Sequence, residues 1–173
     1  MNKPKIVYLS YVLAFLSVVL PMRATQADVA GVFSKGQTLL SIYGGTGYAF
    51  NEDYFVIGVS ANYFLINGLN IGLAYEAWTG STPKINKLTP SINYVFYQPQ
   101  SVKPYIGAFY RHTYIENLPD LESVGGRLGI YIHGGRNVYI GLGGVYESYL
   151  DCTETVYNSC DDTYPEISFT FAF

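Results

Sequence analysis

The sequence predicts an all-β protein, an eight-stranded antiparallel up-and-down transmembrane β-barrel. Three observations carry this expectation. Segments of about ten residues alternate large apolar with small or polar residues, and turn signals part them. The composition is rich in aromatics, with 18 Tyr and 10 Phe, and poor in charge, at 13%, about half the fraction usual for a soluble domain. Beyond residue 27, no stretch holds 18 consecutive apolar residues, so a spanning helix is not the source of that composition.

The elements follow in order. Lys3 and Lys5 give a positive start, Ile6 to Leu20 an apolar run, and Ala24-Thr25-Gln26-Ala27 small residues suited to cleavage. Residues 1–27 therefore read as a cleaved secretory signal peptide; the apolar run is short for an uncleaved anchor helix, which is the alternative. The barrel domain is then 28–173, one domain in length. Without Lys3, Lys5 and Arg23 it carries 7 basic against 13 acidic residues, a net charge of −6. The basic residues are scattered, so nucleic acid is not an expected partner.

The first strand segment is 37–50 and the second 54–66, closed by the tight hairpin signal Asn67-Gly68. The third is 69–79. The fourth, 85–97, contains Pro90, which removes a ladder donor and is tolerable at a bulge. A polar connection from Gln98 to Lys103 leads to the fifth, 104–115, and then comes the sixth, 123–133. Gly134-Gly135-Arg136-Asn137 turns the chain into the seventh, 138–150, and the eighth is 164–173. Connections after the second, fourth and sixth segments are short, and those after the third, fifth and seventh are longer. This is the arrangement of periplasmic turns and outer loops, although the first connection, at Asn51-Glu52-Asp53, is short as well.

Parity sorts the two faces. In the last segment Ile167, Phe169, Phe171 and Phe173 oppose Glu166, Ser168, Thr170 and Ala172. In the third, Ile71, Leu73 and Tyr75 oppose Gly72, Ala74 and Glu76. A soluble lipocalin-like barrel would turn its apolar side inward and show water a face rich in Lys, Glu and Thr. Here the other face is Gly, Ala, Ser and Asn, which suits the inside of a narrow barrel, with the large apolar residues facing lipid. Lys87, Arg111 and Arg127 fall on the inward side with Glu76, Glu147 and Glu166. Charges inside a membrane barrel need partners or water. They form either an interlocked salt-bridge core filling the lumen or a proton or ion path; the narrow interior of eight strands favours the core.

Cys152 and Cys160 are the only cysteines. In an exported chain they read as a disulfide stapling the last outer loop. The outer loops are acidic, with Glu52, Asp53, Glu116, Asp120, Glu122, Asp151, Glu154, Asp161 and Asp162. Their spacing matches no EF-hand, and neither a cofactor nor a dedicated metal site is expected. Divalent cations bridging these loops to lipopolysaccharide phosphates are the generic expectation.

The signal peptide, the eight alternating segments and the ending Phe169-Thr170-Phe171-Ala172-Phe173 together resemble the small bacterial outer-membrane β-barrel proteins, the relatives of the outer membrane protein A transmembrane domain and of outer membrane proteins X and W. Phe169, Phe171 and Phe173 are similar to the C-terminal signal read by the barrel-assembly machinery. The resemblance implies insertion by that machinery into the bacterial outer membrane, contact with its lipid and lipopolysaccharide, and a monomer. It implies no catalytic residues. Some eight-stranded barrels modify lipid A with a Ser–His–Glu arrangement, in which Ser lies two residues after His; here Tyr114 holds that place after His112, and His133 sits at a short turn. By parity His112 faces outward, and neither nucleophile nor orienting acid is evident. The expected role is non-enzymatic, structural or in surface interaction, around a side-chain-filled polar lumen. The alternatives are a narrow channel for ions or small solutes and a lipid A-modifying enzyme.

Overall fold

The computed structural model describes residues 31–99, 102–135, 137–150, 152 and 160–172. The segment 1–27, expected to be a cleaved signal peptide, and Phe173 lie outside the described residues.

A 3-10 turn at Gly31–Phe33 precedes eight strands: β1 (Thr38–Ala49), β2 (Glu52–Ile66), β3 (Leu69–Thr79), β4 (Ile85–Val95), β5 (Val102–Ile115), β6 (Leu121–Gly135), β7 (Val138–Tyr149) and β8 (Asp161–Ala172). Each pairs antiparallel with the next, and β1 pairs with β8, as at Leu40↔Phe171, to close the barrel. The closing seam is paired from Leu39↔Ala172 to Tyr43↔Ser168, over the first part of β1 and the last part of β8.

Strand ends differ from the hydrophobic segments where polar residues extend a ladder. Ala49↔Glu52 and Tyr48↔Asp53 pair beyond the apolar part of the first hairpin. Its turn is the two residues Phe50 and Asn51, both with positive φ (53° and 61°), as a type I′ hairpin requires. Pro90 causes no bulge. It faces Leu73 across the β3 ladder, and on the β5 side the register is the same before and after it, at Leu88↔His112 and Ser91↔Phe109. The lost donor costs pairs locally without shifting the strand. The register shifts lie elsewhere, between Phe64 and Ile66 and between His133 and Gly135, beside tight turns.

The two barrel ends are unlike. One, here the turn end, carries the Asn67-Gly68 turn, the β4–β5 and β6–β7 connections and both ends of the strand set. The other, the loop end, carries the first hairpin turn, residues 80–84 and 116–120, and the end of β7 and start of β8.

The faces separate residue by residue. Along β8, Ile167 and Phe169 are 55% and 53% exposed, while the intervening Ser168 and the following Thr170 are 7% and 0%. Leu40, Ile42, Ile57, Val59, Ile71 and Leu73 are likewise exposed on the outside. Water-soluble monomers rarely expose so continuous an apolar exterior.

Candidate functional site: the barrel lumen

The lumen is built in layers. At the turn end Leu39, Phe64, Val95, Tyr105, Tyr139 and Ala172 point inward and are buried, and Phe33 enters from below to complete the plug. Its ring lies 5.2 Å from Tyr139 and 5.9 Å from both Phe64 and Tyr131. The segment ahead of β1 is held there by backbone bonds: the Gly68 N–H donates to the Phe33 carbonyl and the Gly36 N–H to the Phe64 carbonyl, both at 2.9 Å.

A neutral polar layer follows. Ser41 and Thr170 hydroxyls lie 2.8 Å apart, and the Asn93 amide donates to Asn70 at 3.0 Å and Ser91 at 3.2 Å. Glycines opposite these groups are a packing requirement. A Cβ at Gly107 would collide with the Asn93 amide, one at Gly58 with the Tyr43 ring and one at Gly125 with Phe109.

Above it lie six charges, contributed by six strands and joined in three pairs. Arg111 on β5 bonds Glu147 on β7 at 2.5 Å, and donates to Tyr164 at 2.7 Å and Thr89 at 3.0 Å. Glu147 also accepts from Ser123 and Tyr164 and is fully enclosed. Glu76 and Lys87 are direct ladder partners of β3 and β4, with their charged atoms 4.0 Å apart. Lys87 also sits 4.3 Å from the Trp78 ring, whose N–H donates to Glu76. Arg127 on β6 reaches Glu166 on β8 at 3.4 Å. Both guanidinium groups, Arg111 and Arg127, pack on Phe109, at 4.9 and 5.1 Å. The neutral members of this network, Thr89, Ser123, Tyr164, Trp78 and Phe109, are not singled out by sequence reasoning. The available signal was parity, since each lies an even number of residues from a charged residue already placed inside on its own strand.

The loop-end half is not filled, in departure from the filled lumen that the sequence suggests. A cavity of about 780 Å³ stands there, with all six network charges in its lining and Tyr48, Phe50, Glu122, Cys152 and Asp162 around its mouth. The departure lies at β1 and β8, whose residues 44–49 and 162–167 line the cavity beyond the paired part of their seam; Gly45 leaves open space there, whereas Gly47 is covered by the Trp78 ring.

Cys152 and Cys160 are bonded, with Cα atoms 5.5 Å apart. The staple sits where the Tyr149 N–H donates to the Cys160 carbonyl. Phe169 and Phe171 lie on the exposed outer face. His112 also faces outward, its Nε2 3.2 Å from Asp120 and its Nδ1 3.6 Å from Glu122. Both ring nitrogens thus face carboxylates. His133 packs edge-on to Tyr139 at the turn end, with centroids 5.3 Å apart.

No family model matches the chain, and no curated protein matches it in sequence. Solved structures do match. The N-terminal β-barrel domain of Pseudomonas aeruginosa OprF aligns over 80% of this chain and 98% of its own, with a TM-score of 0.60 and 16% identity. Neisserial surface protein A aligns over 79% of this chain and 94% of its own, with a TM-score of 0.51 and 18% identity. With its closed eight-stranded meander and its apolar exterior, the chain has the fold of the small eight-stranded outer-membrane β-barrels.

Proposed function

We propose that the protein spans the bacterial outer membrane as a non-enzymatic barrel with a structural or surface-interaction role and a lumen closed to ions. The turn end lies in the periplasm and the loop end outside. The ladders from β1 through β8, with the Leu39–Tyr43 seam to β8, pair strand backbone internally, as lipid requires and an open sheet does not. The exposed Leu, Ile, Val and Phe residues are then covered by hydrocarbon.

The observation that carries the closed lumen is the turn-end plug beneath a paired charge layer. Seven buried apolar residues close the barrel from below. Above them each of the six charges has an opposite charge within 4.0 Å. An ion crossing this path would have to break buried pairs and then enter an apolar plug, both costly steps. A hydrolase is disfavoured because, among the described residues, the ring nitrogens of His112 face the carboxylates of Asp120 and Glu122 and no hydroxyl nucleophile is hydrogen-bonded to them.

On this reading the barrel-assembly machinery inserts the chain as a monomer, using Phe169, Phe171 and Phe173. Acidic residues at the loop end, such as Glu52, Asp53 and Glu116, meet lipopolysaccharide through divalent cations. The test is expression with the leader, membrane fractionation, and electrophoresis of heated and unheated samples. Heat-modifiable migration in the outer-membrane fraction is expected. Recovery as a periplasmic protein without heat modifiability would overturn the reading.

A further inference from the structure

The loop-end cavity has no part in the role proposed above. At about 780 Å³ it has the volume of a small-molecule pocket. Its charge is unbalanced. Three cations, Lys87, Arg111 and Arg127, meet five carboxylates: the three of the network, together with Glu122 and Asp162. The network carboxylates hold the three cations. Glu122 has His112 beside it on the outer face. Asp162 accepts a hydrogen bond from the Tyr149 hydroxyl at 3.0 Å. Among the described residues it has no cation within salt-bridge distance.

Asp162 also stands directly opposite Glu147 in the β7–β8 ladder. Both residues line the cavity. Like charges placed opposite each other are unfavourable, and Arg111 is already committed to Glu147. A second cation near Asp162 would relieve this. The walls suit an organic one. Tyr43, Tyr48, Trp78 and Tyr149 line the cavity, and the Lys87 ammonium already rests on the Trp78 ring. Aromatic walls cannot replace the oxygen ligands that a small divalent metal demands.

We propose that the loop-end cavity binds a small alkylammonium ion, with its charged head at Asp162 and its carbons against the aromatic wall. Bound ligand would enter from the outer face and go no deeper than the charge layer.

Trp78 is the only tryptophan of the chain, so its emission reports on this cavity alone. The experiment titrates folded, detergent-solubilised protein with tetramethylammonium chloride at ionic strength held constant with NaCl. A saturable change in Trp78 emission is expected, and none with neopentyl alcohol, a neutral molecule of similar shape. Asp162→Asn should raise the midpoint about fivefold, the scale of a partly exposed ion pair. Asp161→Asn removes the same charge beside Tyr146 on the outer face and should leave the midpoint within about twofold. Heat-modifiable migration establishes that each variant is folded and keeps this test separate from that of the membrane reading. No saturable change, an equal response to the alcohol, or equal midpoints for wild type and Asp162→Asn would overturn the proposal.

Discussion

The two halves of the lumen are enclosed by the same eight strands, yet one is packed and the other is open. Strand number sets the width of a barrel; the inward side chains decide whether that width is filled. At the turn end the inward positions are Leu39, Phe64, Val95, Tyr105 and Tyr139, and Phe33 is added from outside the strands. At the loop end β1 places Gly45 over open space, while its next inward residue, Gly47, is covered by the Trp78 ring. Between the halves, the six charges are both the roof of the packed half and the floor of the open one. The difference teaches that the charge layer is a buried structural element on one side and a ligand-accessible surface on the other.

Substitutions can break or sharpen this contrast. The largest effect is expected at the shared layer. Glu147→Ala leaves Arg111 buried without its carboxylate and should cost about 3–5 kcal/mol, read as a lower urea midpoint for loss of the unheated gel form. Arg111→Met combined with Glu147→Leu should recover most of that loss, because an apolar pair leaves no orphan charge. Phe33→Ala empties the centre of the plug and should cost about 3 kcal/mol in the same assay. An unchanged midpoint would mean that the segment ahead of β1 does not seal the barrel.

Glycines give the finer comparison. A Cβ at Gly143 would press on the Tyr105 hydroxyl in the packed half, so Gly143→Ala should destabilise by about 1–3 kcal/mol. A Cβ at Gly45 meets nothing within 4 Å. Gly45→Ala should therefore be neutral or stabilise by up to about 1 kcal/mol, through the unfolded chain. Equal penalties at the two positions would erase the distinction between the halves.

Much of the barrel was legible in the sequence because alternation is a local signal. The run from Ile167 to Ala172 shows its two faces in the order of its residues, and the exposure along β8 follows that order. Asn67-Gly68 marks a hairpin by its own backbone chemistry. The partners within the lumen were less legible. Glu76 and Lys87 meet across one hairpin, so their pairing follows from its register. Arg111 and Glu147 meet across an intervening strand, and Arg127 and Glu166 likewise; those pairings depend on the stagger of strands around the barrel, which no single segment encodes. Phe33 gave no periodic signal, being a lone aromatic ahead of the first strand. Pro90 suggested a bulge because it lacks a donor, but the ladder absorbs that loss in place. The empty loop-end half was hidden for a related reason: Gly45 looks like Gly47, Gly58 or Gly125, and only the structure shows that the other three lie under rings while Gly45 faces open space.

The most direct measurement is ion conductance of the purified, heat-modifiable protein in planar lipid bilayers. A barrel packed from Phe33 to the Arg111–Glu147 pair should give no unitary conductance steps above the bare bilayer. Reproducible steps from the wild-type protein would contradict the closed lumen and make the charge layer part of a conducting path.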